Sequence, residues 1–400
     1  MLPDYATVRD FDLGDLQSAH RFWLRLTRSF AEQVEDYRVR VIRPVDDDSW
    51  SGAAATAGKR VVHSVGDKLT ATQPYLQAVT TALDTAISGM AAAQQLADQA
   101  QQLAQEHGLS IDDAGRVGLP WIGVADWSNP PVNAAMAAQK MIYQARFVAA
   151  TVDDKLVPLL AYADTFEPDD CGPWQQRSRD IPDSVTEAVE ETNSIIKRTA
   201  ELPDPSDPNP DTAPQPYGVE FPGPTDLASH AKMQSAGLAY MTAHGWFNAG
   251  ALLANWLANT GLPRTVNPDD MISAMPTFAR SVQNALQARL EGVYDSGWHN
   301  YSPGDAIESS DWYYAFNDFR WRLVGLIKYD SSGGQRVEYS VGVRKPYVFG
   351  RPRRDIVKFG VVVAGQEELK HLHTTALAQN FIAQGISHTG PLHEGMTIVG

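Results

Sequence analysis

Residues 44–52 read PVDDDSWSG and separate two long segments with helical periodicity. Before this stretch, apolar residues recur at intervals of three and four, as in one stripe of an amphipathic helix over residues 12–43: Leu16, Ala19, Trp23, Leu26, Phe30, Val34, Tyr37 and Val41. After it, a second helix is predicted to reach about Gly108, with a kink at Pro74. Two long helices joined by a short turn predict an antiparallel helical hairpin.

Two further helices are predicted before residue 201. One begins at the cap-and-proline sequence Asn129-Pro130-Pro131 and runs toward Phe166. The other begins at Ser184, where Glu187 stands three residues later, as in a capping box. The first half of the chain is therefore expected to be an elongated all-α module.

A proline-rich stretch marks the expected domain boundary. Eight of the 25 prolines lie between Pro203 and Pro224, among Asp, Asn and Ser residues, which is typical of a polar linker. We expect a helical hairpin in residues 1–110, further helices in 111–201, the linker in 202–226 and a second domain in 227–400.

The periodicity changes after the linker. Helices are predicted over 227–260, 271–290 and 367–384, the last from Leu369, His373, Leu377 and Phe381 at intervals of four. Alternating apolar residues predict strands at 312–316, 320–329, 337–343 and 359–363. This half is expected to be an α+β domain with an antiparallel sheet.

Composition excludes several classes of protein. With 33 basic and 48 acidic residues among 400, the net charge of −15 argues against a general nucleic-acid binder. A single cysteine, Cys171, cannot form an internal disulfide. No apolar run is long enough to predict a transmembrane helix, and the first residues do not resemble a Sec-type signal peptide.

Trp50-Ser51-Gly52, at the turn between two long helices, resembles the helical hairpin of the WXG family. Glycine permits the tight turn, and the indole covers the end of the hairpin. The resemblance implies a bacterial protein of actinobacterial type, exported by type VII secretion from the cytoplasm, with a small helical WXG partner or a secretion chaperone. No Tyr-x-x-x-Asp/Glu export signal follows directly after the hairpin, and a partner could carry that signal. The alternative is an ordinary buried tryptophan in a helix–helix turn.

The second half resembles the activity domain of colicin M over residues 228–390. The similarity lies in 251–261 (ALLANWLANTG), 311–315 (DWYYA) and 371–377 (HLHTTAL). That family cleaves lipid II, the peptidoglycan precursor, with a divalent metal. The resemblance implies an antibacterial toxin, for which an immunity protein would be a partner.

The catalytic motif departs from the family pattern. The family has Asp-x-Tyr-Asp-x-Asn followed by His-Arg, whereas this chain has 345–350 as KPYVFG and then His373-Thr374. Only Tyr347 and His373 match as candidate catalytic residues, and both carboxylates are missing. We therefore expect no metal or other cofactor and a degenerate domain that binds an envelope component or a protein. The alternative is an active lipid II hydrolase using Mg or Ca.

Between Arg344 and Lys358 lie six basic residues and one acidic residue. Arginine clusters suit bidentate phosphate contacts, so Lys345, Arg351, Arg353 and Arg354 are candidates for binding an anionic lipid or the lipid II head group. The alternative is a solvated basic loop. His373 lies on an apolar stripe, where a packed core histidine is expected.

Overall fold

The computed structural model describes residues 2–47, 50–120, 127, 129–164, 174–201, 203, 205–206, 211, 215–287, 289–302, 308–329, 335–349, 356–359 and 362–387. The chain divides into two compact units. The first combines Met1–Ala97 with Ala145–Leu202, and the second combines Asp98–Gln144 with Pro203–Gly400. Residues 98–144 therefore group with the C-terminal half, although the predicted domain bounds place them before the linker.

Most described residues are helical. The helices in chain order are α1 Tyr5–Arg9, α2 Gly14–Tyr37, α3 Arg43–Val45, α4 Ala53–Glu106, α5 Pro131–Lys155, α6 Val157–Asp164, α7 Trp174–Thr199, α8 Pro224–Lys232, α9 Leu238–Ala243, α10 Phe247–Leu257, α11 Pro268–Ala274, α12 Pro276–Leu286, α13 Ser310–Phe316 and α14 Gln366–Thr374. A π-helical turn, Arg38–Ile42, connects α2 to α3, and another, Met233–Gly237, connects α8 to α9. Among the described helices, none is long and apolar enough to cross a membrane.

Helices α2 and α4 pair as an antiparallel hairpin. The hydroxyls of Thr27 and Thr80 are 3.0 Å apart, and the Tyr37 hydroxyl donates to the Val62 carbonyl. The pair nearer the turn, Tyr37 and Val62, is thus closer in sequence than Thr27 and Thr80, as an antiparallel hairpin requires. Gly52, in the turn, has a φ of +98°, a conformation that glycine adopts without steric cost. The helical periodicity of the segments on either side of residues 44–52 predicts this hairpin.

The second unit is built on a six-stranded sheet. The strands of the chain are β1 Ser110–Ile111, β2 Val117–Gly118, β3 Arg264–Thr265, β4 Gly292–Asp295, β5 His299–Tyr301, β6 Phe319–Tyr329, β7 Gln335–Tyr347, β8 Ile356–Phe359, β9 Val362–Gly365 and β10 Phe381–Ile386. The main sheet has the order β3-β10-β7-β6-β4, with β5 paired to β6. Because β3 runs parallel to β10 and the other pairs are antiparallel, the sheet is mixed.

Each face of this sheet packs against helices. Strand alternation puts Phe319, Trp321 and Leu323 on the face that joins the main hydrophobic core with α10 to α13. On the other face, Gly342 lies against the first half of α5. A β-carbon at Gly342 would stand 2.8 Å from the Met136 sulfur, so glycine lets the helix approach the strand.

Four predicted elements are wrong. Residues 359–363, predicted as one strand, are divided between β8, which ends at Phe359, and β9, which begins at Val362. Residues 310–316 form a helix instead of a strand, because Trp312, Ala315 and Phe316 enter the core at helical spacing. The last predicted helix ends at Thr374, and Phe381–Ile386 is a strand paired with β7. Ser184 lies inside α7 and does not cap it.

Candidate functional site

The structure places Tyr347 in the core at the end of β7. Its ring stacks on Phe381 of β10 at 4.9 Å between centroids, and it meets Phe349 edge-on at 5.4 Å. Burial raises the pKa of the Tyr347 phenol above its ordinary value. The side chain is therefore neutral at physiological pH and packs as an aromatic core residue.

His373 is also buried, near the end of α14. Its Nδ1 accepts a hydrogen bond from the Asn380 backbone N–H at 3.3 Å, so the proton of the neutral ring lies on Nε2. That Nε2–H donates to the Gln215 carbonyl at 2.6 Å. Desolvation lowers the pKa of His373, although its backbone hydrogen bonds oppose the shift. Both ring nitrogens thus bind the backbone.

Residues 215–220, which we call the strap, lie along the end of α14. The Gly218 and Glu220 amides donate to the carbonyls of His373 and Thr374, at 3.3 and 2.9 Å. The Tyr217 ring lies 5.4 Å from the His373 ring. This part of the predicted linker therefore belongs to the second unit, where it covers His373.

Tyr347 and His373 contact consecutive residues at the start of β10. Phe381 stacks on the tyrosine, and the Asn380 amide binds the histidine. The Asn380 side chain in turn accepts the Trp256 indole N–H at 3.0 Å. The two motif residues thus meet one short segment that aromatic packing and backbone bonds hold in place.

Of the four predicted anion-binding residues, the structure describes only Lys345. Lys345 donates from Nζ to the Phe316 carbonyl at the end of α13, a favourable place for a cation. Arg351, Arg353 and Arg354 lie outside the described residues. Arg344, the first residue of the basic stretch, points to the opposite face of the sheet from Lys345, because neighbouring strand residues alternate.

Arg344 belongs to a buried polar network that sequence periodicity does not reveal. The side chain is 0% exposed, and its Nη1 donates to the Asn133 side-chain oxygen at 3.0 Å. Its Nε stands 3.5 Å from an Asp211 carboxylate oxygen, and its guanidinium lies 4.7 Å from the Trp298 ring. Desolvation lowers the pKa of Arg344 to about 10, so it remains a cation at neutral pH.

A second ion-pair group occupies the same sheet face. Arg322 donates to both oxygens of Asp295 at 2.9 and 2.6 Å, and Lys140 approaches the carboxylate at 3.1 Å. Desolvation opposes ionisation of Asp295, but the Arg322 bonds and charge prevail and lower its pKa to about 2. Since this carboxylate is ionised and engaged, it is suited to positioning the sheet and α5 and not to accepting a substrate proton.

Asp311 has a structural role. It lies in α13 and accepts the backbone amides of Asn248 and Ala249 at 3.1 and 2.8 Å. The carboxylate thus caps the start of α10, where the helix dipole favours negative charge. Among the described residues, no group of three or more His, Cys, Asp or Glu side chains is arranged to hold a metal.

At the hairpin turn, Trp50 is 42% exposed. Its ring lies over the first turns of α4, where a β-carbon at Gly58 would stand 2.2 Å from Cη2. His63 and Asp46, 2.8 Å apart, link the two sides of the turn. One side of the indole therefore packs on the hairpin, and the rest faces solvent.

The fold and these side chains define a protein with a helical hairpin and an α+β unit whose motif residues are engaged in internal contacts. No protein-family model matches the chain, and no curated protein or solved structure is significantly similar to it.

Proposed function

We propose that this chain is an exported, WXG-type, toxin-like protein whose C-terminal colicin M-like domain is a pseudoenzyme. In this proposal, the domain binds an envelope component or a protein partner without hydrolysing lipid II. The observation that carries it is the engagement of both ring nitrogens of His373 by backbone groups.

The hairpin half of the proposal rests on Trp50 and Gly52. Gly52 takes the positive φ that the turn needs, and Trp50 is 42% exposed. An aromatic plate that is partly exposed at the end of a hairpin suits contact with a small helical partner or a secretion chaperone. Type VII export and an extracellular destination belong to this proposal.

The pseudoenzyme half rests on the motif residues. A catalytic histidine must present one nitrogen to the substrate to move a proton. In His373 the Nε2–H binds Gln215 and Nδ1 accepts from Asn380, while the strap covers the ring. Tyr347 is stacked in the core with a phenol whose pKa burial has raised. These contacts support the proposal that both residues serve the core and not catalysis.

In this proposal, three arginines of the basic stretch bind the anion. Arg344 is fully buried, and Lys345 binds a main-chain carbonyl. Arg351, Arg353 and Arg354 remain as candidates for an anionic head group such as a pyrophosphate, since guanidinium groups bind phosphate oxygens in pairs.

The test is to incubate the full chain with lipid II and magnesium or calcium. We expect no release of pyrophosphoryl-disaccharide, and binding that is lost when Arg351, Arg353 and Arg354 are all changed to Ser. Arg336→Ser, an exposed arginine elsewhere on the second unit, is the control for charge. Metal-dependent turnover by the wild type, abolished by His373→Ala, would make the hydrolase reading correct.

A further inference from the structure

The outer face of α2 carries three arginines beside two exposed apolar side chains. Arg21, Arg25 and Arg28 are exposed and recur at intervals of four and three, so they share one side of the helix. Phe22 is 55% exposed and Leu26 38% exposed, and they adjoin the arginines. We call these five residues the Arg–Phe ridge.

The rotation of α2 is fixed by contacts on its inner face. The Thr27 hydroxyl donates to the Leu76 carbonyl at 3.3 Å and lies 3.0 Å from the Thr80 hydroxyl. Because Thr27 faces α4, its neighbours Leu26 and Arg28 are turned outward. Exposure of the Arg–Phe ridge is thus a consequence of hairpin packing.

The three arginines form no ion pair with any residue that the structure describes, and Arg21 donates only to the Ser18 hydroxyl at 2.9 Å. Other arginines along this segment do pair: Arg38 binds Glu35 at 2.8 Å, and Arg40 lies 3.4 Å from Asp36. Between Asp15 and Glu32 the sequence contains no acidic residue. The ridge therefore carries three positive charges on a chain of net charge −15.

We infer that the Arg–Phe ridge docks on the surface of an anionic lipid bilayer, with the guanidinium groups at the head groups and Phe22 and Leu26 in the interface. Basic residues beside exposed aromatic and aliphatic side chains are the pattern of helices that lie on anionic membranes. The acidic remainder of the chain weakens this attraction little, because charges beyond about 8 Å are screened at physiological ionic strength.

The shape of the ridge favours a flat surface over a helical partner. It is the convex side of one helix, and its apolar part is the single pair Phe22 and Leu26. A helix–helix interface needs an apolar stripe continued over several turns, whereas this side of α2 continues with Ser29 and Glu32, both exposed. A bilayer requires no such continuation.

The test is co-sedimentation of the full chain with vesicles. We expect binding to vesicles made of equal parts phosphatidylcholine and phosphatidylglycerol, weakening as salt is added, and little binding to phosphatidylcholine alone. Changing Arg21, Arg25 and Arg28 to Gln should lower the partition coefficient roughly a hundredfold. Phe22→Ser with Leu26→Ser should also lower it.

The matched control changes Arg38, Arg40 and Arg43 to Gln, which removes the same charge from the same hairpin. It should bind anionic vesicles nearly as the wild type does, with circular dichroism showing that every variant keeps its helices. Equal binding by the two triple variants would overturn the inference. So would a wild type that ignores anionic vesicles, or one that binds neutral vesicles equally well; either result would assign the ridge to a protein contact or to hydrophobic adsorption.

Discussion

Arg344 and Asn133 are 211 residues apart in sequence, and the guanidinium of one donates to the side-chain oxygen of the other at 3.0 Å. The bond connects β7 to α5 on the covered face of the sheet. Both side chains are 0% exposed. A cation in this position depends on neighbouring dipoles and charges to replace the water that folding removes.

Asn133→Ala should therefore destabilise the second unit. The variant leaves a buried guanidinium short of an acceptor, and we expect the free energy of unfolding to fall by about 1–3 kcal/mol. Chemical denaturation would measure the change. Asn300→Ala, at an exposed position on β5, is the control and should change stability by less than about 0.5 kcal/mol. If both variants unfold at the same denaturant concentration, the hydrogen bond makes no net contribution to the free energy of unfolding.

Acid should selectively remove the contribution of Asp295. Its pKa falls from 3.8 to about 2 on folding, and at about 1.36 kcal/mol per pKa unit the ion pair stabilises the fold by about 2 kcal/mol above pH 4. Since the folded pKa is depressed, this contribution is lost as the pH falls from about 4 to 2. The stability gap between wild type and Asp295→Asn should close over that window, and Glu291→Gln is the control for the removal of one exposed carboxylate.

His373 should give a pH dependence at milder acidity. Desolvation lowers its folded pKa below the ordinary 6.5, so the neutral ring stabilises the fold fully above about pH 6.5. As the pH falls through 6.5, the unfolded chain binds the proton first and stability declines. We expect the difference in unfolding free energy between wild type and His373→Gln to be larger at pH 8 than at pH 5.5. The exposed His299→Gln serves for comparison, and an equal slope in both variants would contradict the assignment.

Trp50→Ala should leave helix content nearly intact and weaken partner binding or export, because part of the indole faces solvent. Gly58→Ala provides a second variant that keeps the indole but displaces its ring, since the new β-carbon would stand 2.2 Å from Cη2. Circular dichroism and a partner pull-down would follow both changes. Wholesale loss of helix in Trp50→Ala would identify the residue as core and remove the main support for the secretion reading.

A fragment of residues 227–400 should fail to fold cooperatively. It lacks residues 131–144, which cover the polar face of the sheet, and the strap that binds α14. Thermal unfolding of this fragment should show no sharp transition, whereas the full chain should show one. In the full chain, limited proteolysis should spare residues 215–220. A stable, cooperative 227–400 fragment would support the boundary predicted at the proline-rich stretch.

Local periodicity could predict the hairpin and the β6–β7 pair, because their partners are near in sequence or their pattern is strong. It could not predict β10, where Phe381 continues a helical spacing from Leu369 but pairs with Tyr347 across the sheet. Ladder pairing with a distant strand overrides local preference there. At 312–316, aromatic residues fit both periods. The Ser309 side chain caps α13 by accepting the Trp312 amide, and packing against α10 also favours the helix.

The buried charge network could not be predicted from the sequence, because it also depends on an element that is distant in sequence. Arg320 and Arg322 alternate with Phe319, Trp321 and Leu323, a pattern typical of a strand with one solvated face. That face is instead covered by α5, whose sequence lies far upstream. The sequence does show a cluster of arginines at alternating positions on two paired strands. Without knowledge of a covering helix, such a pattern predicts a solvent-exposed face.

The join between residues 131–144 and the C-terminal sheet also has a consequence for biosynthesis. Helix α5 is synthesised well before β6, β7 and β10 exist, so Val132 and Met136 emerge without the surface that they finally contact. At about 5–20 residues per second, that interval is on the order of tens of seconds. During translation the nascent chain therefore exposes an apolar segment, and ribosome-associated chaperones are expected to bind it.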